Sequence, residues 1–286
     1  MVEIAIIASL CVLATAKVTV QGLFAKGNIK TTIDGIFFNG LIFAFAAALF
    51  VKDVFPFNLG VALFGATFGI LSLIFQLTYI KAMSYGNVSL IVMVAALSMI
   101  VPTMFSAIVY SEPLTTTRII GIALTILALA CSVDRKEKST NLKKWIIMAV
   151  LVFLSNSAAH ICLKVFGKTE LASQNKAFVA WGYIVATIFS AVIFLIFRAR
   201  GTKLSFKISP KVFYLSLGAG LILGIFQVLN AYATATIDGT LLFPSYNGGV
   251  IILSGISGAV LLKDKLKPNQ IISIFIGVAA LIFMNI

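Results

Sequence analysis

Ten long apolar stretches run along this sequence and occupy most of its 286 residues. A helix needs about 20 mainly apolar residues to cross a bilayer. The stretches are too long and too continuous for strands, and a helix satisfies all of its own backbone groups in lipid. The sequence therefore predicts an all-α integral membrane protein with ten transmembrane helices. The predicted spans are residues 3–25, 34–51, 59–81, 88–110, 118–133, 145–165, 177–197, 212–233, 240–262 and 269–286.

The composition leaves no room for a soluble domain beside these spans. Only 11% of the residues are charged, whereas ordinary soluble chains contain about 25%. The net charge of +13 comes from basic residues in short loops between apolar stretches, a pattern typical of membrane topology signals rather than of a nucleic-acid-binding surface. The three cysteines are widely spaced and match neither a metal site nor a disulfide framework.

The two halves of the sequence repeat each other. Residue pairs separated by 151 positions are Gly69 with Gly220, Phe75 with Phe226, and Gln76 with Gln227. Turn signals recur with the same rhythm, so we predict an internal duplication. The first five-helix repeat covers residues 1–133, a basic cytoplasmic linker covers 134–144, and the second five-helix repeat covers 145–286.

Because each repeat has an odd number of spans, the second repeat must enter the membrane upside down. Loops on the same side as the chain termini carry five basic residues, and loops on the other side carry sixteen. The positive-inside rule then predicts a multi-pass protein of the plasma (inner) membrane with both termini extracytoplasmic. Two inverted five-helix repeats are a common architecture of secondary transporters.

The fourth span and its exit carry a family likeness. Pro102 lies within the span, Glu112 and Leu114-Thr115 follow it, and Gly121 comes next. With the ten-span duplication, this pattern resembles the EamA-type members of the drug/metabolite transporter superfamily, although Ser111 stands where the family has a glycine. The second repeat carries a matching Asp264. The resemblance implies movement of small metabolites through a central cavity between the halves, without ATP hydrolysis.

Polar residues inside spans are costly in lipid and are therefore candidates for the substrate site. Several recur three or four positions apart, which places them on one helix face. The predicted substrate-binding residues are Lys17, Gln21, Gln76, Tyr79, Asn156, His160, Gln227, Asn230, Tyr246 and Asn247. We predict no catalytic residues, no metal ligands and no cofactor.

Structural explanations compete with these roles. Lys17 can extend toward lipid headgroups, His160 can bond a backbone carbonyl, and the two glutamines can hold helices together. Lys164, near a span end, is expected to anchor the helix at the membrane interface. Gly65-xxx-Gly69 and Gly220-xxx-Gly224 are expected to allow close helix packing.

The distribution of charge favours an anionic group on the cargo. All nine acidic residues lie at a terminus, in a loop or at a span end, whereas Lys17 and His160 lie deeper. A cavity that contains these two side chains favours a carboxylate or phosphate over a lipophilic cation. His160 is also a candidate for titration during the cycle.

We therefore expect a secondary transporter, not an enzyme, that moves a small polar metabolite by alternating access. The resemblance favours export of an amino acid or a related zwitterion or anion. A sugar-nucleotide or lipid-linked-sugar translocator is the alternative, and a membrane-embedded enzyme is a remote one. The expected partners are the small-molecule substrate and membrane lipid, not nucleic acid, with a homodimer left open.

Overall fold

The computed structural model describes residues 2–28, 31–85, 88–132, 142–205, 209–261 and 268–285. These residues form α-helices and two short 3-10 helices, Val51–Val54 and Glu170–Gln174, with no strand among them. The α-helices are α1 (Val2–Asn28), α2 (Thr32–Leu49), α3 (Leu59–Tyr85), α4 (Val88–Leu97), α5 (Ile100–Val109), α6 (Thr116–Ser132), α7 (Leu142–Gly167), α8 (Asn175–Ala199), α9 (Pro210–Thr236), α10 (Gly239–Leu261) and α11 (Pro268–Asn285).

The helices have the length and composition of membrane-crossing segments. Six apolar segments of the described residues are long enough to span a bilayer; they lie in α1, α2, α3, α7 and α9 and in α8 with the 3-10 helix before it, and the other helices are shorter and apolar. The all-α membrane fold is thereby confirmed in its coarse form. The helix bounds follow the predicted spans, except that the predicted fourth span is divided into α4 and α5. The predicted linker, residues 134–144, falls mostly outside the described residues, and α7 begins at Leu142.

Helices from the two ends of the chain interleave. The early helices α2 and α3 both contact α8, and α2 also contacts α9 while α3 contacts α7. The first helix, α1, packs on α9 and α10, and α6 packs on α11. Most of these neighbours lie far apart in the sequence, so the two halves of the chain share an extensive interface.

Glycines bring helices together where the sequence predicted it. A Cβ added at Gly65 would lie 2.6 Å from the carbonyl oxygen of Phe178 on α8. A Cβ at Gly220 would lie 2.7 Å from the carbonyl oxygen of Ile42 on α2. Real Cβ atoms do not approach so closely, so only glycine permits the α3–α8 and α9–α2 distances. The predicted packing role of the glycine pairs is confirmed.

Polar contacts tie the helices together at both ends of the bundle. At one end, which we call the Asp34 end, the Asp34 carboxylate at the start of α2 accepts a hydrogen bond from the Ser205 backbone N–H at 2.8 Å. Asp34 also caps its own helix by accepting the Thr31 backbone N–H at 2.8 Å. At the opposite end, the Glu112 end, the segment between α5 and α6 meets the turn between α9 and α10.

Candidate functional site

The break between α4 and α5 follows from a proline. Pro102 has no N–H, so the Ser98 carbonyl four residues earlier cannot receive its usual helical hydrogen bond. The Val101 N–H donates to it instead at 3.3 Å, and the Met99 N–H donates to the Ala96 carbonyl at 3.2 Å. These three-residue spacings interrupt the α-helical pattern, and residues 98–99 link the two helices. The single fourth span predicted from sequence is therefore two helices.

Side chains from α7 and α10 donate hydrogen bonds to the carbonyls at this break. The Ser157 hydroxyl donates to the Ser98 carbonyl at 2.9 Å. The Asn156 amide donates to the Ala95 carbonyl at 3.1 Å and to the Ser98 hydroxyl at 2.7 Å. The side-chain amide of Asn247, on α10, donates to the Ala96 carbonyl at 3.0 Å. Two helices distant in sequence, α7 and α10, thus converge on the break.

Such bonds matter because buried backbone carbonyls without partners are costly, and lipid offers no water to replace the missing donors. Two of the donors, Asn156 and Asn247, are predicted substrate-binding residues. In this state of the protein their amide nitrogens are engaged with the backbone. A small cavity of about 20 Å³ lies beside the break, between α5, α6 and α10. Its lining includes Thr103, Pro244 and Asn247.

His160 lies one helical turn beyond Asn156 on α7 and faces α10. Its ring lies edge-on to the ring of Phe243, with 5.8 Å between the centroids. Its Nδ1 atom is buried and makes no hydrogen bond within the described part of the chain. The structure therefore brings Asn156, His160 and Asn247 to one region where α7 and α10 meet the broken helix.

Tyr246 lies next to Asn247 in sequence but contacts other helices. Its ring packs on Phe226 of α9 at a centroid distance of 5.9 Å. Its backbone carbonyl accepts a weak hydrogen bond from the Cys11 thiol of α1 at 3.6 Å. Tyr246 thus lies where α1, α9 and α10 meet.

The two candidates on α3 are engaged with neighbouring side chains. The Gln76 amide donates to the side-chain oxygen of Asn39 on α2 at 3.0 Å, and Asn39 in turn donates to the Gly35 carbonyl at 2.9 Å. The Tyr79 ring packs against Phe75, with 5.4 Å between centroids. The arrangement of Gln76 fits the helix-joining role that the sequence left open.

Gln227 and Asn230 are buried on α9, and their side-chain nitrogens make no hydrogen bond to any described residue. Buried amide nitrogens without partners can donate hydrogen bonds to the oxygen atoms of a ligand. On α1, Lys17 is half-buried, between the buried residues Thr15 and Thr19. Gln21 belongs to α1, but its side chain lies outside the described residues.

A buried ion pair at the Glu112 end was not anticipated. The Lys164 ammonium lies 2.7 Å from a Glu112 carboxylate oxygen, and the two side chains are 0% and 5% exposed. The sequence interpretation of Lys164 as an interface anchor is wrong, because the side chain turns into the protein rather than toward headgroups. The position of Glu112 in the turn after α5 is as expected, but its partner is 52 residues away in sequence.

Comparisons with known proteins agree with this architecture. Residues 3–133 match the EamA-like transporter family, which confirms the predicted resemblance. An uncharacterised protein of Haemophilus influenzae is 22% identical over 193 residues, which make up 65% of this chain and only 62% of that relative. One solved crystal structure shares the fold, with a TM-score of 0.74 over 98% of this chain and 95% of that chain at 14% identity. The family match and the long apolar helices together indicate a multi-pass membrane protein whose first half is similar to the EamA-like transporter family.

Proposed function

We propose that this chain, whose residues 3–133 are EamA-like, is a secondary transporter of a small polar metabolite. It works by alternating access between two inverted five-helix halves, residues 1–133 and 145–286. The cargo is an amino acid or a related zwitterion or anion, and it is exported across the plasma membrane. Both chain termini lie outside the cytoplasm.

The observation that carries this proposal is the broken helix α4–α5, with its carbonyls held by side chains of α7 and α10. Discontinuous helices at the interface of two repeats are where transporters of this kind bind their cargo. Hydrogen bonds between side chains and backbone can be exchanged one at a time as the halves move. A continuous helix in the same place would offer no carbonyls or donors to a substrate.

The pattern of helix contacts supports an inverted repeat. When α4 and α5 count as one span, exchanging the first five spans with the last five preserves most of the contacts between helices. The pairs α3–α7 and α3–α8 become α9–α1 and α9–α2, and all four are present. The α6–α11 and α5–α10 contacts exchange with themselves. A two-fold relation between the halves accounts for this pattern more simply than chance does.

The distribution of charge supports an acceptor-rich cargo. The orphaned amide nitrogens of Gln227 and Asn230 call for oxygen acceptors, and Lys17 supplies a positive charge on α1, which packs on α9. We assign Lys17 to the anionic group of the cargo, and Gln227 and Asn230 to its polar remainder. Gln76 joins them if its bond to Asn39 opens during the cycle.

Transport in sealed proteoliposomes tests this assignment. Purified protein is screened against metabolites by thermal shift, because a bound ligand raises the apparent stability, and the compounds that bind are then tested for flux. We expect Lys17→Met to lower flux of an anionic or zwitterionic cargo by at least about tenfold, equivalent to about 1.4 kcal/mol. Lys17→Arg should retain part of the flux, and Lys143→Met, at an exposed site on α7, should retain all of it.

Two results would count against the proposal. If Lys17→Met transports as the unmodified protein does, the charge assignment fails. If the protein turns over a compound in detergent without any gradient, an enzymatic function replaces transport. Reporter fusions at each terminus test the orientation separately, with extracytoplasmic signals expected at both.

A further inference from the structure

The Glu112 end of the bundle is closed by contacts between the two sets of helices. Besides its ion pair with Glu112, the Lys164 ammonium donates to the Ile237 carbonyl at 3.0 Å. The second Glu112 oxygen accepts the backbone N–H of Gly239 at 2.5 Å. One carboxylate from the segment after α5 thus binds both the end of α7 and the start of α10.

Other charged side chains lie around this pair and remain partly exposed to water. The ammonium of Lys168, the residue after α7, lies 3.8 Å from Glu112, and its side chain is 34% exposed. Arg118, at the start of α6, forms an ion pair with Asp238 at 3.3 Å, and these side chains are 16% and 39% exposed. All of these contacts lie at the same end of the bundle, but among them only the Glu112–Lys164 pair is withdrawn from water.

A buried ion pair is a poor means of stabilising a fold. Desolvation of the two charges offsets most of their attraction, and apolar side chains of similar volume often serve equally well. The loss of one partner is nevertheless severe, because the remaining charge stays buried and uncompensated. Such a pair therefore favours two states, either closed and paired or open and hydrated, and disfavours a half-open state.

The Glu112–Lys164 pair lies at the end of the bundle where α5 meets α10. Gly239, which binds Glu112, packs so closely on α5 that an added Cβ would lie 2.8 Å from the Cβ of Ser106. One turn deeper on α5, Thr103 is buried and lines the small cavity beside the helix break. The close contact between Gly239 and Ser106 thus lies between the Glu112 end and this cavity.

We propose that Glu112 and Lys164 form a latch that keeps this end of the transport pathway shut and that separates when the protein opens there. This proposal rests on the transport function proposed above. In the open state water hydrates both charges, so the latch can release without leaving a buried ion. When this end closes again, the Gly239 N–H binds the Glu112 carboxylate and the Ile237 carbonyl binds the Lys164 ammonium, and these bonds return the two side chains to their paired positions.

Thiol accessibility tests the latch without any cargo. Cys11, Cys131 and Cys162 are replaced by alanine, and Thr103→Cys supplies a single probe at the cavity. The rate of reaction with a small, water-soluble, charged thiol reagent is measured in detergent. We expect Glu112→Gln and Lys164→Met each to raise the rate at position 103 by about tenfold or more, because the closed state loses its charge pairing.

Two controls separate opening from damage. Asp238→Asn removes the exposed ion pair at the same end, and we expect it to change the rate less than about threefold, because exposed pairs contribute little. A second probe, Ser216→Cys, lies fully buried on α9, nearer the Asp34 end. The latch variants should leave its rate unchanged.

The latch is overturned if neither latch variant accelerates labelling at position 103. It is equally overturned if either variant accelerates labelling at positions 103 and 216 alike, because the pair then only stabilises the fold. The labelling contrast requires no substrate. A chain that shows the contrast but transports nothing would therefore contradict the transport function and not the closure by this pair.

Discussion

Replacing Gly69 with alanine tests whether the α3–α8 contact depends on the absence of a side chain. The added Cβ would lie 2.7 Å from the carbonyl carbon of Gly182 and 3.0 Å from its Cα, and it would also overlap the Gly182 carbonyl oxygen. Carbon atoms pack best at about 3.5–4.0 Å. All three neighbouring atoms belong to the α8 backbone, so they cannot rotate away as a side chain would.

The helices must therefore move apart, which weakens contacts along the whole interface. Overpacking of this kind costs about 1–3 kcal/mol, and we place Gly69→Ala near the upper value. The control is Gly218→Ala on α9, where an added Cβ meets nothing within 4 Å. That change gains helix propensity of up to about 1 kcal/mol. We expect the two variants to differ in stability by about 3 kcal/mol.

Thermal unfolding in detergent measures the difference. A fluorogenic maleimide that reacts with buried Cys11 as the helices separate reports the transition. With about 2–4 °C per kcal/mol for chains of this size, Gly69→Ala should melt roughly 6–12 °C below Gly218→Ala. Adding Gly65→Ala should lower the midpoint less than Gly69→Ala does, because the first substitution has already separated the helices. Equal midpoints for Gly69→Ala and Gly218→Ala would refute the close-contact reasoning.

Three further outcomes follow from the structure. Pro102→Ala restores an N–H that can reach the Ser98 carbonyl, so the helix should straighten. Flux in proteoliposomes should then fall, while thermal stability should stay the same or rise. Undiminished flux would contradict a role for the break in transport. Ser157→Ala should lower stability by about 1 kcal/mol in thermal unfolding, because the Ser98 carbonyl loses a donor; a change of the same size in the Pro102→Ala background would show that this bond does not depend on the break. Burial and the Glu112 carboxylate raise the pKa of the Tyr110 phenol. The folded state therefore holds this proton more tightly than the unfolded state, and the free energy of unfolding should fall above pH ~10. Tyr110→Phe should reduce that fall, and an unchanged dependence of stability on pH would count against the raised pKa.

Sequence reasoning succeeded where the signal is local. Apolar length predicted the helices, and the small-residue spacing of Gly65 and Gly69 predicted a close contact. The family likeness rested on Pro102 and on the residues after it, and the match over residues 3–133 confirms it. These features depend on a few neighbouring positions and on the solvent around the helix, so they can be read without knowing which helices meet.

The sequence does not reveal features that form only when two distant segments come together. Lys164 at a span end looks like an interface anchor, and only the packing of α7 beside the segment after α5 shows that Glu112 neutralises it. The sequence also could not show that the amide of Asn156, a predicted substrate-binding residue, donates to the Ala95 carbonyl at the α4–α5 break. The spacing of Ser98 and Pro102 held a usable signal, because a proline always deprives the carbonyl four residues earlier of its helical donor.

The interleaving of α2 and α3 with α8 and α9 has a consequence for biogenesis. A ribosome completes α1–α6 before the partners of α2 and α3 exist. Until then the glycine-lined surface of α3 must face acyl chains or some temporary neighbour. During the same period the Glu112 carboxylate lacks its partner Lys164, which is synthesised 52 residues later. Final assembly of the early helices is therefore delayed until the late ones insert, and a truncated chain ending before α8 lacks the surface on which its own first half is built.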